Sequence, residues 1–154
     1  MTETALSPEQ AQALADAAAD AMWSRDAAAK ALGMERIEVT PGHATLRMRV
    51  RPDMVNGHHI CHGGLIFTLA DTAFAYACNS YNLNTVASAC HIDFLAPGKE
   101  GELLEAVAVE RSASGRSGVY DVTVSVVGGK TIALFRGKSA RIKGEVSTSF
   151  ADPH

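Results

Sequence analysis

Residues 56–78 read NGHHICHGGLIFTLADTAFAYAC, and this stretch decides how the rest of the chain must fold. It opens with a polar turn rich in His and Gly and starts a helix at His62-Gly63-Gly64. It then runs through apolar residues broken by one carboxylate, Asp71. Leu65, Ile66, Leu69, Ala73, Phe74 and Tyr76 fall on every side of a 3.6-residue wheel, which predicts a core helix without a solvent face, wrapped by other elements. About seventeen residues with a central acid are marginal for a membrane span, and strand-like segments follow, so a soluble core is the expected setting.

Working outward, the chain before this helix changes period. Ser7-Pro8-Glu9-Gln10 is an N-terminal signature, with Ser as cap, Pro at the first helical position and Gln in the capping-box place. Ala-rich sequence carries the helix to about Trp23, and a second piece, 26–32, stops at Gly33. This arm, residues 1–33, is expected to be peripheral, with 1–6 frayed. From Met34 apolar residues recur every second position, with a turn at Pro41-Gly42 and Ala44, Leu46, Met48 and Val50 forming one buried face.

After the helix the period stays at two. Strands are predicted at 86–95, 103–111, 119–127 and 131–142, the last two joined across Gly128-Gly129. The strand at 103–109 is apolar on both faces. One apolar helix and five or six mainly antiparallel strands pack best as a curved sheet around the helix, an α+β domain over 34–143. Free edges and the outer face call for edge-to-edge dimerisation and then face-to-face assembly. Beyond Lys143 the residues are small and polar, and 144–154 is expected to be a disordered tail.

Composition narrows the function. The 154 residues fit one domain, and a formal charge of −3 argues against a nucleic-acid or anionic-membrane partner, which a basic stripe would mark. Three cysteines, Cys61, Cys78 and Cys90, with no N-terminal signal segment, make a disulfide framework unfavourable and point to a reducing, cytoplasmic setting.

Two features of the central stretch carry chemistry. The helix start at Gly63-Gly64 offers backbone N–H groups, the positive end of the helix dipole and no side chain to block approach, which suits a carbonyl oxygen acquiring charge. The same glycines also suit a tight entry turn. Asp71 must find donors, lie at a subunit interface or have a task, because a buried unpaired carboxylate costs several kcal/mol. Eight residues at ~1.5 Å each separate Asp71 from Gly63 by about 12 Å, too far to act on one carbonyl. Cooperation between them therefore requires a second subunit. A backbone donor plus a carboxylate suits acyl transfer, the carboxylate attacking directly or activating water.

Other polar groups are less telling. Cys61 beside His62 is not placed for mutual activation, and His58, His59, Cys61 and His62 lack a converging partner for zinc. His43 and His91 sit in strands, where a hydrogen-bonded histidine is the default. Arg116, Arg136, Lys138 and Arg141 can meet phosphates, although such charges usually form a solvated face.

These residues, with Asn56-Gly57, Cys61-His62-Gly63-Gly64, the run 69–80, Ile92-Asp93-Phe94-Leu95 and the run 133–139, resemble the hotdog-fold acyl-CoA thioesterases of the phenylacetic acid degradation (PaaI) type. The likeness extends over about 27–143. It implies a hotdog fold, a double-hotdog dimer and commonly a tetramer, with hydrolysis of aryl-acyl-CoA thioesters such as phenylacetyl-CoA and no metal or organic cofactor. It also implies that Gly63 polarises the thioester, that Asp71 of the facing subunit is nucleophile or general base, and that Asn56 and His62 orient the thioester or water. Phe67, Phe74 and Tyr76 are candidates for an acyl pocket or for plain packing. A hotdog module that binds acyl-CoA without cleaving it is the alternative. A hotdog hydratase ranks behind both, since its His–Asp pair is not evident.

Overall fold

In the computed structural model, which describes residues 4–148, six strands form one antiparallel sheet around a central helix. The elements are α1 (Pro8–Arg25), α2 (Ala27–Ala31), β1 (Glu35–Thr40), β2 (His43–Arg49), α3 (Gly63–Cys78), β3 (Leu83–Phe94), β4 (Leu103–Ser114), β5 (Ser117–Val126) and β6 (Thr131–Glu145). The sheet order is β1-β2-β4-β5-β6-β3. This is the hotdog architecture, with α3 lying in the concave face.

The expected alternation holds where it was clearest. Ala44, Leu46 and Met48 on β2, and Leu104, Ala106 and Ala108 on β4, are buried against α3. Leu103, Val107 and Val109, on the opposite face of β4, are half-buried. Strands β4 and β5 run further than their apolar patterns indicate, to a tight turn at Gly115-Arg116 with Gly115 at φ 59°. A left-handed residue costs glycine little, which is why the hairpin closes there.

Three expectations need correcting. The central helix is not enclosed on every side: Gly64 is exposed, and Thr68, Asp71, Thr72 and Ala75, three or four residues apart, form a half-exposed stripe. Six strands curve around α3 without closing, and the uncovered side is the one that carries the small and polar residues. The N-terminal arm is not peripheral. Ala15, Ala18 and Ala19 of α1 are buried, Gln12 Nε2 donates to the Val39 carbonyl at 2.9 Å, and Trp23 packs on Tyr76 of α3 with ring centres 6.3 Å apart.

The segment after Lys143 is ordered as far as it is described. Asn82, in the left-handed region at φ 65°, accepts the Ser147 N–H at Oδ1 (2.8 Å) and donates from Nδ2 to the Ser147 carbonyl (2.9 Å). Val146 and Ser147 are buried beside it. One amide satisfying both backbone groups of a remote residue leaves no trace in hydropathy, so the polar composition misleads. The rest of the expected tail, and residues 1–3, lie outside the described residues.

The two sheet edges differ. β1 carries α1 beside it, with Gln12 bonded to the Val39 carbonyl, although Ile37 stays exposed. Among the described residues β3 pairs with β6 alone, and it exposes Val86 (46%) and Phe94 (53%).

Candidate active site

The turn before α3 is built by Asn56. Its Oδ1 accepts from the N–H groups of His58 (2.9 Å) and Ile60 (3.4 Å), and its backbone N–H bonds the Ile60 carbonyl (2.8 Å), which lets His59 take φ 61°. Short polar side chains close such turns on their own backbone. The following residues are pinned by Cys61 N–H to the Gly98 carbonyl (2.7 Å) and His62 N–H to the Met54 carbonyl (2.8 Å). The helix start is therefore held from both sides.

His62 is the N-cap. Its Nδ1 accepts from the Gly64 N–H at 2.9 Å, and its carbonyl accepts from Leu65 (2.9 Å) and Ile66 (3.3 Å). An Nδ1 that accepts leaves the ring proton on Nε2, so the neutral ring presents a donor outward. Among the described residues, the Gly63 N–H has no acceptor. It is the one amide of this first turn left for something else, at the positive end of the helix.

Asp71 lies on the half-exposed stripe, about 12 Å along the helix from Gly63. The hydroxyls of Thr68 and Thr72 donate to carbonyls of their own helix, those of Gly64 (2.8 Å) and Thr68 (2.6 Å). Neither supports Asp71, whose carboxylate makes no hydrogen bond or ion pair among the described residues. Partial burial raises its pKa from the ordinary 3.8. The same charge, after burial, also helps raise the Cys90 thiol, which places the inward-facing side of β3 near Asp71.

The fold thus gathers Asn56, His62 and Gly63 at one end of α3 and leaves Asp71 two turns away. Two open surface grooves of about 570 and 560 Å³ lie elsewhere, between α1 and β1 and on the outer sheet face, and none of the four residues lines either. Cys61 is inert, its thiol pushed up to about 11 by burial. Arg136 is held by Asp121 in a two-pronged pair (2.7 and 2.9 Å), so it is already neutralised. His91 Nε2 pairs with Asp93 at 3.1 Å. Among the described residues no group of three or more His, Cys, Asp or Glu side chains stands close enough to hold a metal ion.

The aromatic candidates separate cleanly. Phe74 packs on Tyr120 and Phe135, and Tyr76 turns toward the arm, its hydroxyl donating to Asp26 Oδ2 at 3.0 Å; both are core. Phe67 is half-buried, edge-on to Phe135 at 5.4 Å. The aromatic residue at the helix start is Phe94, which the periodicity did not single out. The signal available was an apolar pair, Phe94-Leu95, at a strand end just before Pro97.

Comparison with known proteins agrees with this architecture. Residues 58–133 match the family model of the thioesterase superfamily. The chain is 54% identical over 129 residues to acyl-coenzyme A thioesterase PaaI of Escherichia coli, spanning 84% of this chain and 92% of that protein. The solved structure of E. coli PaaI, from the phenylacetic acid degradation operon, superposes with a TM-score of 0.85 at 52% identity, covering 87% of this chain and 97% of that one. A mutant of the phenylacetic acid degradation protein PaaI from Thermus thermophilus superposes with a TM-score of 0.71 at 38% identity, over 74% and 97% of the two chains. With likeness of this depth over most of its length, the chain belongs to the thioesterase superfamily, as a hotdog-fold thioester hydrolase of the PaaI type.

Proposed function

We propose that the enzyme hydrolyses aryl-acyl thioesters of coenzyme A, of the phenylacetyl or hydroxyphenylacetyl kind, to the free acid and CoA, in the cytoplasmic breakdown of phenylacetate. The observation that carries this reading is Asp71: a half-buried carboxylate, unpaired among the described residues, on an apolar helix whose first amide has no acceptor among them. Its setting in a chain 54% identical to an acyl-CoA thioesterase supplies the substrate class. Three free cysteines fit a reducing compartment.

In this mechanism the thioester carbonyl accepts from the Gly63 N–H of one subunit, while Asp71 of the partner subunit lies on the other side of the acyl carbon. As the oxygen gains charge, the N–H and the helix dipole stabilise it. Asp71 then either attacks the carbon, giving an acyl-aspartyl anhydride that water opens, or takes a proton from water that attacks instead. Both routes expel the CoA thiolate, which leaves as the thiol with the proton given up by water, and return the carboxylate. His62, through its outward Nε2–H, and Asn56, through its Nδ2, orient the thioester or the water. No metal or organic cofactor takes part. The working unit is a dimer, assembled further into a tetramer.

The test is thiol release followed with a disulfide dye across phenylacetyl-, hydroxyphenylacetyl-, benzoyl- and straight-chain acyl-CoAs. An aryl preference is expected. Asp71→Asn, nearly isosteric, should lower kcat by about 10²–10⁴-fold with the fold intact. Near-normal turnover in that variant ends the mechanism, and binding without thiol release from any substrate makes the protein an acyl-CoA binding module instead.

A further inference from the structure

Gly63 is not in the left-handed region, so its backbone would accept alanine, a better helix former. What excludes a side chain is Phe94. A Cβ on Gly63 would lie 3.1 Å from Phe94 Cζ, 3.3 Å from Cε1 and 3.7 Å from Cε2, so the tip of the ring occupies that space. Phe94 comes from the last position of β3, opposite Ala133 on the concave face of the sheet. Beside so small a neighbour the ring is free to lean on the start of α3, and it remains 53% exposed.

The Gly63 nitrogen is one bond, ~1.46 Å, from the Cα whose side-chain position this ring fills. A thioester accepting from the free N–H therefore binds within reach of the Phe94 ring. We propose that Phe94 is the aromatic wall of the acyl site and sets the enzyme's preference for flat, aryl acyl groups over straight chains. This rests on the thioesterase reading above. A phenyl group meets the ring in an offset or edge-to-face pair, whereas an alkyl chain gains only its apolar contact. The ring also keeps water from one side of the N–H, which strengthens the bond to a developing oxyanion.

Phe94→Leu keeps the apolar bulk and removes the aromatic face. The ratio of kcat/KM for phenylacetyl-CoA to that for hexanoyl-CoA should fall about fivefold or more, the change expected for one aromatic contact. A purely structural loss would lower both substrates alike and leave that ratio within less than fivefold of wild type, which overturns the proposal.

A second arm tests the contact with Gly63. Gly63→Ala keeps the N–H but pushes the ring into the site and should cost about five- to tenfold in kcat/KM. Adding Phe94→Ala should restore part of that loss; a double variant no better than Gly63→Ala alone refutes the assignment. Wild-type protein that releases no thiol from any acyl-CoA removes the thioesterase reading itself. An active wild type with no aryl preference overturns the role of Phe94 while leaving the chemistry in place.

Discussion

Asp71 is ionisable in a place that penalises ionisation, and two measurements follow from that. Desolvation raises its folded-state pKa above the ordinary 3.8, so the folded chain holds the proton more tightly than the unfolded one. The stabilising contribution of the protonated form is complete below the ordinary value. It is lost as pH rises through the raised one. Asp71→Asn should therefore be more stable than wild type at neutral pH, by about 0.5–2 kcal/mol as is usual when a strained functional group is relieved. The gain should shrink to nothing below pH 3.8. In the proposed mechanism catalysis needs the ionised form, so the acid limb of kcat/KM should lie above the ordinary 3.8. Equal melting of the two proteins across the whole pH range would contradict the desolvation. Asp71 was legible in the sequence because one charge on an apolar helix stands out without knowledge of its neighbours. Gly63 was half legible: the free N–H follows from a helix start, but the crowding by Phe94 arises from a strand thirty residues further on and has no local sign.

At the scale of elements, Asp26 ties the N-terminal arm to the core with both oxygens. Oδ1 accepts the Ala29 N–H at 3.1 Å, capping α2, and Oδ2 accepts the Tyr76 hydroxyl at 3.0 Å. Burial first, and then Asp26, push the Tyr76 phenol well above its ordinary value. Tyr76→Phe removes only the second bond and should cost about 0.5–1.5 kcal/mol. Asp26→Ala removes the cap as well and should cost about 2–3 kcal/mol in urea unfolding. Equal midpoints for Asp26→Ala and wild type would mean that the arm is not part of the cooperative unit. The arm's start was readable because Ser7 and Gln10 form the reciprocal capping pair their spacing announces (3.1 and 2.9 Å). Its packing was not readable: alanines seat a helix closely without the large apolar residues that mark a buried face. The strands were legible from alternation and from Gly128-Gly129, while the Gly115 turn and the order placing β3 outside β6 depend on pairings between distant segments.

At the scale of the molecule, the proposed site calls for a second chain. Among the described residues β3 has no partner on its outer edge, the half-exposed stripe bearing Asp71 lies on the side of α3 that the sheet does not close over, and the Gly63 amide sits about 12 Å from that carboxylate on the same rigid helix. A second copy joined along β3 under two-fold symmetry would extend the sheet and set the two helices against each other, giving two equivalent sites with one residue from each chain. Subunit complementation tests this directly. Asp71→Asn lacks the carboxylate. Gly63→Pro lacks the N–H, at a first helical position where the proline backbone is tolerated, and its ring also displaces Phe94 of the same chain. Each homodimer should be nearly inactive, its two sites carrying one lesion apiece. In a hybrid, one site collects both lesions and the other none. After subunit exchange at equal concentrations half of the dimers are hybrid with one intact site of two, so activity should recover to about a quarter of wild type. Exchange verified by mass tags without any recovery would place Asp71 and Gly63 in a site within one chain, which the length of α3 does not allow. That outcome would return the choice of catalytic carboxylate to the beginning.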